Sequence, residues 1–164
     1  MTRVMLIESL KEFIAKSVSS FSLPCKPDKG DTEQIFRAPT VHRMRLPDST
    51  SATKKAPYII VQYVQGKDEW KTGDQSAASA VVRLIFCVYN EDEEEGAMAL
   101  MNVMEKVRKD MLEVEVIGDC FRLDTDEGLE SLVYPEDTAP FYAGEMIGTF
   151  EIPPIERHFR HYFE

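Results

Sequence analysis

Two β-prone runs govern what this chain can become. Tyr58, Ile59, Ile60, Val61, Tyr63 and Val64 crowd one run, and residues 79–89 bring Val81, Val82, Leu84, Ile85, Phe86, Val88 and Tyr89 together in another. Branched and aromatic side chains of this kind suit a pleated surface that is at least half buried. Residues 66–75 between them are polar and turn-rich. That predicts an antiparallel pair joined by a loop of roughly a dozen residues, longer than a tight hairpin.

Helical periodicity flanks the pair. Leu6, Leu10, Phe13, Ile14 and Val18 recur at helical spacing, with Glu8, Lys11, Glu12 and Lys16 opposite, which predicts an amphipathic helix over residues 3–18. A second helix is predicted from about residue 93 to 112. Asp92 is placed to cap it, with Glu95 as the box partner. Glu93, Glu94 and Glu95 favour the positive end of the helix dipole, and Lys106, Arg108 and Lys109 lie towards the negative end. Ala97, Leu100, Met101, Met104, Val107 and Met111 form its expected apolar stripe. Met98, Met101, Met104 and Met111 also have the adaptable chemistry of binding grooves. Core is the favoured reading for them, because a lone amphipathic helix must bury its stripe.

Three further strands are predicted near 120–124, 129–134 and 144–152, the last ended by Pro153 and Pro154. Residues 24–56, punctuated by Pro24, Pro27, Gly30, Pro39 and Pro47, read as an irregular, mobile segment. A short strand is expected within it, near 34–37 or near 41–45. The resulting order is α, β, β, α, β, β, β. It predicts an α+β fold, a mainly antiparallel sheet with both helices packed on one face, as a single domain over 1–164.

Composition narrows the function. The chain has 164 residues, 43% of them hydrophobic and 29% charged, enough for a core that needs no staple. Its net charge is -10, from 29 acidic and 19 basic residues. Such a chain lacks the cationic footprint of a nucleic-acid binder and is repelled by anionic membranes. Cys25, Cys87 and Cys120 are odd in number and widely spaced, so no disulfide framework is expected. Cys87 sits in an apolar run, as a buried free thiol does, and a reducing compartment follows. The first eight residues already carry charge, and no stretch approaches the roughly 20 apolar residues of a membrane span.

No motif commits the chain to catalysis. His158 and His161 have helical spacing for a metal, but two imidazoles fall short of a ligand set, and Arg157 and Arg160 oppose a cation. The acidic run at 91–95 lacks the alternation and glycine of a calcium loop and reads as a helix start; that at 124–128 stops after two alternate carboxylates, with no glutamate at position twelve, and reads as a solvated turn. Cys25 and His42 would need to meet to form a nucleophile and base, and nothing in their positions brings them together. Phosphate-binding and dinucleotide glycine motifs are absent. The expectation is a binding protein with no catalytic, metal or cofactor residues.

The one basic stretch contains Arg37, His42, Arg43, Arg45, Lys54 and Lys55. As a solvated loop it needs no partner. As an arm it would meet an acidic neighbour such as another copy of this chain, so Arg43, Arg45, Lys54 and Lys55 are the candidate subunit or partner contacts.

Four pieces taken in order resemble a known family. They are the opening helix; the strand from Pro57 through Val64 to Gly66 and Asp68; the strand from Val82 through Tyr89 and Asn90, followed by Gly96 and the helix through Arg108; and the segment from Pro140, Phe141 and Gly144 to Phe150 and Pro153. Their succession resembles the tail terminator (tail completion) proteins of long-tailed bacteriophages and prophages. The 24–56 segment and the histidine-containing end depart from that pattern. The resemblance implies a ring, typically a hexamer, at the head-proximal end of a tail tube. Such a ring stops tube growth and offers the surface that joins the head, with DNA passing through unbound. It implies the tail tube protein, a head-tail connector and further copies of the chain as partners. The expected location is the neck of the virion, after assembly in the host cytoplasm. Another neck or connector protein is the alternative, and a small enzyme or metal-binding protein a more distant one.

Overall fold

In the computed structural model the described residues are 1–47, 55–71, 75–135 and 138–155. Among them the chain forms α1 (Arg3–Ser17), β1 (Leu23–Pro24), β2 (Phe36–Arg37), β3 (Thr40–Arg43), β4 (Tyr58–Lys71), β5 (Gln75–Tyr89), α2 (Glu93–Val114), β6 (Val116–Ile117), β7 (Phe121–Leu123), β8 (Leu129–Val133) and β9 (Phe141–Ile152). The fold is α+β. A curled seven-stranded sheet runs in the order β3-β4-β5-β9-β7-β6, with β8 also on β9, while β1 and β2 pair apart. Every pairing is antiparallel except β3 with β4.

Both helices cover one face. From α1 come Leu6, Leu10 and Ile14, and from α2 Leu100, Val103, Val107 and Met111; these meet Ile59 and Val61 of β4, Val82, Leu84 and Phe86 of β5, and Met146 and Phe150 of β9. Phe86, Phe121 and Phe150 are fully buried. Truncating any one to alanine removes about 3–5 kcal/mol from the fold.

The helix ends follow local chemistry. Thr2 accepts a hydrogen bond from the Met5 amide (3.2 Å) and so caps α1. Asp92 caps α2 through the Glu95 amide (2.9 Å), while Asn90 accepts from the Asp92 amide (3.0 Å). The Asp92 amide, the group that Glu95 would reach in a capping box, is thus met by Asn90. The helix continues to Val114, so Lys106, Arg108 and Lys109 are not at its end. They pair with Asp110, Glu105 and Glu113 along the helix.

The α2 stripe is rotated slightly from its expected position. Gly96 and Val103 are buried, whereas Ala97 and Met101 are exposed. Of the four methionines, Met104 and Met111 are core; Met98 and Met101 face out. The covered residues are those that face β5, β9, α1 and β6, a narrower arc than the apolar pattern spans.

The expected long loop between the two strong strands is not there. The strands continue as a hairpin arm until Lys71 pairs with Gln75. Polar sequence misled here because the arm is solvated on its outer side, where Lys67 and Glu69 form an ion pair. Val64 makes the arm possible. Tyr63 pairs with Val82 and Gln65 with Val81, so Val64 is an extra residue, a β-bulge. Before it the odd-numbered residues Ile59, Val61 and Tyr63 face the helices; after it the even-numbered Gly66 and Asp68 do. The Arg3 guanidinium lies over Gly66, donating to Asp68 Oδ2 (2.9 Å) and to the carbonyls of Lys67 and Ser79 (both 3.2 Å). A Cβ at Gly66 would stand 2.3 Å from Arg3 Nε.

Candidate interaction surface

The basic stretch is built around β3. Arg37 is an internal bracket. Its guanidinium donates to Thr40 Oγ1 (2.7 Å) and to the carbonyls of Pro57 (2.8 Å), Lys55 (2.5 Å) and Ala38 (3.2 Å). It ties the start of β3 to the start of β4, where a parallel pair has no tight turn to hold it. Arg43 forms an ion pair with Glu8 of α1, and Lys55 donates to the Pro47 carbonyl. Arg45 is exposed, just beyond Met44, whose φ of 62° turns the chain at the end of the strand. Lys54 lies outside the described residues. Of the candidate contacts, the structure thus brings Arg43 and Arg45 to the β3 edge and sets Lys55 at the base of the following segment.

His42 faces the other side of β3, edge-on to Tyr58, with ring centroids 6.5 Å apart. Its pKa is lowered first by burial and then by Lys55, Arg37 and Lys11. Cys25 is held through its amide, which donates to the Ile35 carbonyl (2.8 Å), and no hydrogen bond among the described residues joins it to His42. His158 and His161 lie outside the described residues.

The sheet face away from the helices carries a second cluster. Ala56, Cys87 and Tyr89 are buried there, with Tyr58, Phe141 and Ala143 packed against them. Burial pushes the Cys87 thiol up, away from a reactive thiolate, and pushes the Tyr58 phenol up as well. Beside them Arg83 donates to Gln62 Oε1 (2.9 Å from Nε), and Tyr134 donates to Glu145 Oε2 (3.0 Å). These polar groups tie strands to one another.

Further along the same face, the arm, β5 and β9 wall a groove of about 590 Å³. Glu69, Asp124, Glu127 and Glu151 line it, with Lys67 as its only cation among the described residues. The Asp124 carboxylate accepts from the amides of Asp126 (3.0 Å) and Glu127 (3.2 Å), as a solvated turn requires. Among the described residues no group of three or more His, Cys, Asp or Glu is arranged to hold a metal ion. No described helix is long and apolar enough to cross a membrane.

Sequence reading overlooked the other edge of the sheet. There β8 exposes Leu132 (54%) and Val133 (43%) beside Glu130. A five-residue strand ending in Leu-Val signals its own existence, but nothing in it says that its second side is open.

No protein-family model matches the chain, and no curated protein matches it.

Proposed function

We propose that this chain is a structural phage protein that caps the head-proximal end of a tail tube as a ring and presents the joining surface for the head. The observation that supports this reading is where the resembling segments fall. The four pieces occupy α1, β4, β5 with α2, and β9, which together make the core and the central strands of one body. The likeness therefore lies in the load-carrying frame and not in peripheral loops. A rigid frame with exposed apolar side chains on its projections, Trp70 on the arm and Ile35 and Phe36 at β2, suits a part that works by contact. The partners in this reading are further copies of the chain, the tail tube protein and a head-tail connector. The site of action is the neck of the particle, and the reading assigns no catalytic residue.

Light scattering across a concentration series, with negative-stain images, tests the ring. A closed species of about six subunits is the expected result, since closure fixes stoichiometry. Purified tail tubes then test the cap, and the chain is expected at one end of each tube. Absence of end binding, with or without a ring, rejects the reading; binding to the connector side alone turns it towards a neck protein.

A further inference from the structure

The seven-stranded sheet has two open edges of opposite character. Off the main strand order, which ends at β6, β8 pairs with β9 on the side opposite β5, and no described strand pairs its other side. The Tyr134 amide donates to the Ala143 carbonyl (3.0 Å). Alternation in an antiparallel ladder then turns the backbone groups of Leu129, Ser131 and Val133 away from β9. At the β3 end, the Thr40 amide donates to the Pro57 carbonyl (3.1 Å) and the Met44 amide to the Val61 carbonyl (2.8 Å). The amides of Val41 and Arg43 therefore point away from β4.

Charge distinguishes these edges. Residues 123–135 contain Asp124, Asp126, Glu127 and Glu130 with no lysine or arginine. Residues 34–47 contain Arg37, Arg43 and Arg45 with no aspartate or glutamate. Arg37 is turned inward onto backbone carbonyls and Arg43 is met by Glu8, so the exposed Arg45 is the cation that this edge offers a neighbour.

We infer that β8 of one copy pairs with β3 of a second copy, so that one sheet runs on from subunit to subunit. This rests on the proposal above that the chain assembles into a ring. Main-chain hydrogen bonds supply the pairing without regard to side chains. Charge selects which edge meets which: two β8 edges would bring their acids together, and two β3 edges their arginines. Leu132 and Val133, on opposite faces of β8, become covered as the sheet extends. Because the two edges are different surfaces, the contact is heterologous. Repeated with a rotation that divides the full turn and without translation, it closes into a ring.

Ser131→Pro tests the backbone part, since it removes an amide that points away from β9 and leaves the β8–β9 ladder intact. Retained thermal unfolding and far-UV dichroism establish that the variant is folded. Glu130→Arg and Arg45→Glu test the charge part, singly and combined. Assembly by light scattering should weaken at least about tenfold in S131P and in each charge variant, and recover in the E130R/R45E pair. Hydrogen exchange at Ser131, Val133, Val41 and Arg43 should slow in the assembled form relative to the monomer.

A folded S131P that assembles like the parent overturns the inference while leaving the ring reading intact. So does equal exchange at residue 131 in ring and monomer, or a symmetric dimer through β8. A chain that stays monomeric even with tail tubes present overturns both. Assembly through these edges without tube capping supports the pairing and rejects only the proposed role.

Discussion

Gly96 stands in the second turn of α2, where alanine would ordinarily be preferred by about 1 kcal/mol. Here a Cβ would lie 2.2 Å from Cε2 of Tyr142. The ring and the helix backbone are in contact, and the missing methyl is what lets α2 approach β9. Gly96→Ala should therefore destabilise the protein, by about 1–2 kcal/mol, against the sign of helix propensity. Equilibrium urea unfolding of the two proteins measures it, and a stabilised variant would show that the ring moves aside freely. The glycine is plain in the sequence; its reason is not, because Tyr142 belongs to another element and only the fold brings it near. Arg37 shows the same limit. It reads as a free cation of a basic loop, and its guanidinium is in fact spent on three backbone carbonyls and the Thr40 hydroxyl.

The elements with strong periodicity were the legible ones. Both helices appear where apolar spacing puts them, and the two β-prone runs become the central strands, because those patterns report burial directly. Their ends were less legible. The arm of β4 and β5 is polar, and its strand character comes from pairing with its own neighbour and not from propensity. The short β1 and β6 depend on the strands beside them in the same way. Contacts between elements are also invisible in one dimension. Ser17 of α1 donates to Asp110 of α2 (2.5 Å), and Lys106 pairs with the same carboxylate (2.8 Å). The Lys106 hydrogen bond, followed by that of Ser17, lowers the Asp110 pKa. A carboxyl whose folded pKa is depressed adds stability above its unfolded pKa, near 4, and loses it as pH falls through the folded value. Asp110→Asn should cost about 0.5–1 kcal/mol at neutral pH, a modest figure because the pair is partly solvated. The difference from the parent should shrink as pH falls through the lowered folded pKa. Thermal melts from pH 7 to pH 2.5 test this, and a gap that persists at low pH would mean that shape, not charge, holds the helices together.

For the whole molecule, charge sets the outward behaviour. With net charge -10 and four carboxylates around the groove of the arm, the surface offers duplex DNA little that could displace condensed counterions. No gel retardation of a random duplex is expected at protein concentrations up to about 10 μM in 0.15 M salt, in the middle of the range of ordinary non-specific binding. Retardation that weakens with added salt would show that the arginines of the β3 edge act on phosphate and not on a protein. The α+β class and the order of its major elements could be read from the chain, as could the basic stretch. The candidate surface was only half legible: Arg43 and Arg45 stood out by charge, while the open side of β8 is a property of topology that no single strand carries.

Val64 has a longer reach than its size suggests. One surplus residue changes the parity of β4, so that the same strand first counts its buried positions on odd numbers and then on even ones. Up to Tyr63 the chain serves the core; beyond it the alternation is reset, and Lys67 and Glu69 face the outer groove while Arg3 locks the other side. A hairpin that carried a single phase throughout would have to choose between packing under α1 and projecting a polar arm. Offset by one, it serves as a core wall at its root and, beyond the bulge, as a polar arm that Arg3 holds.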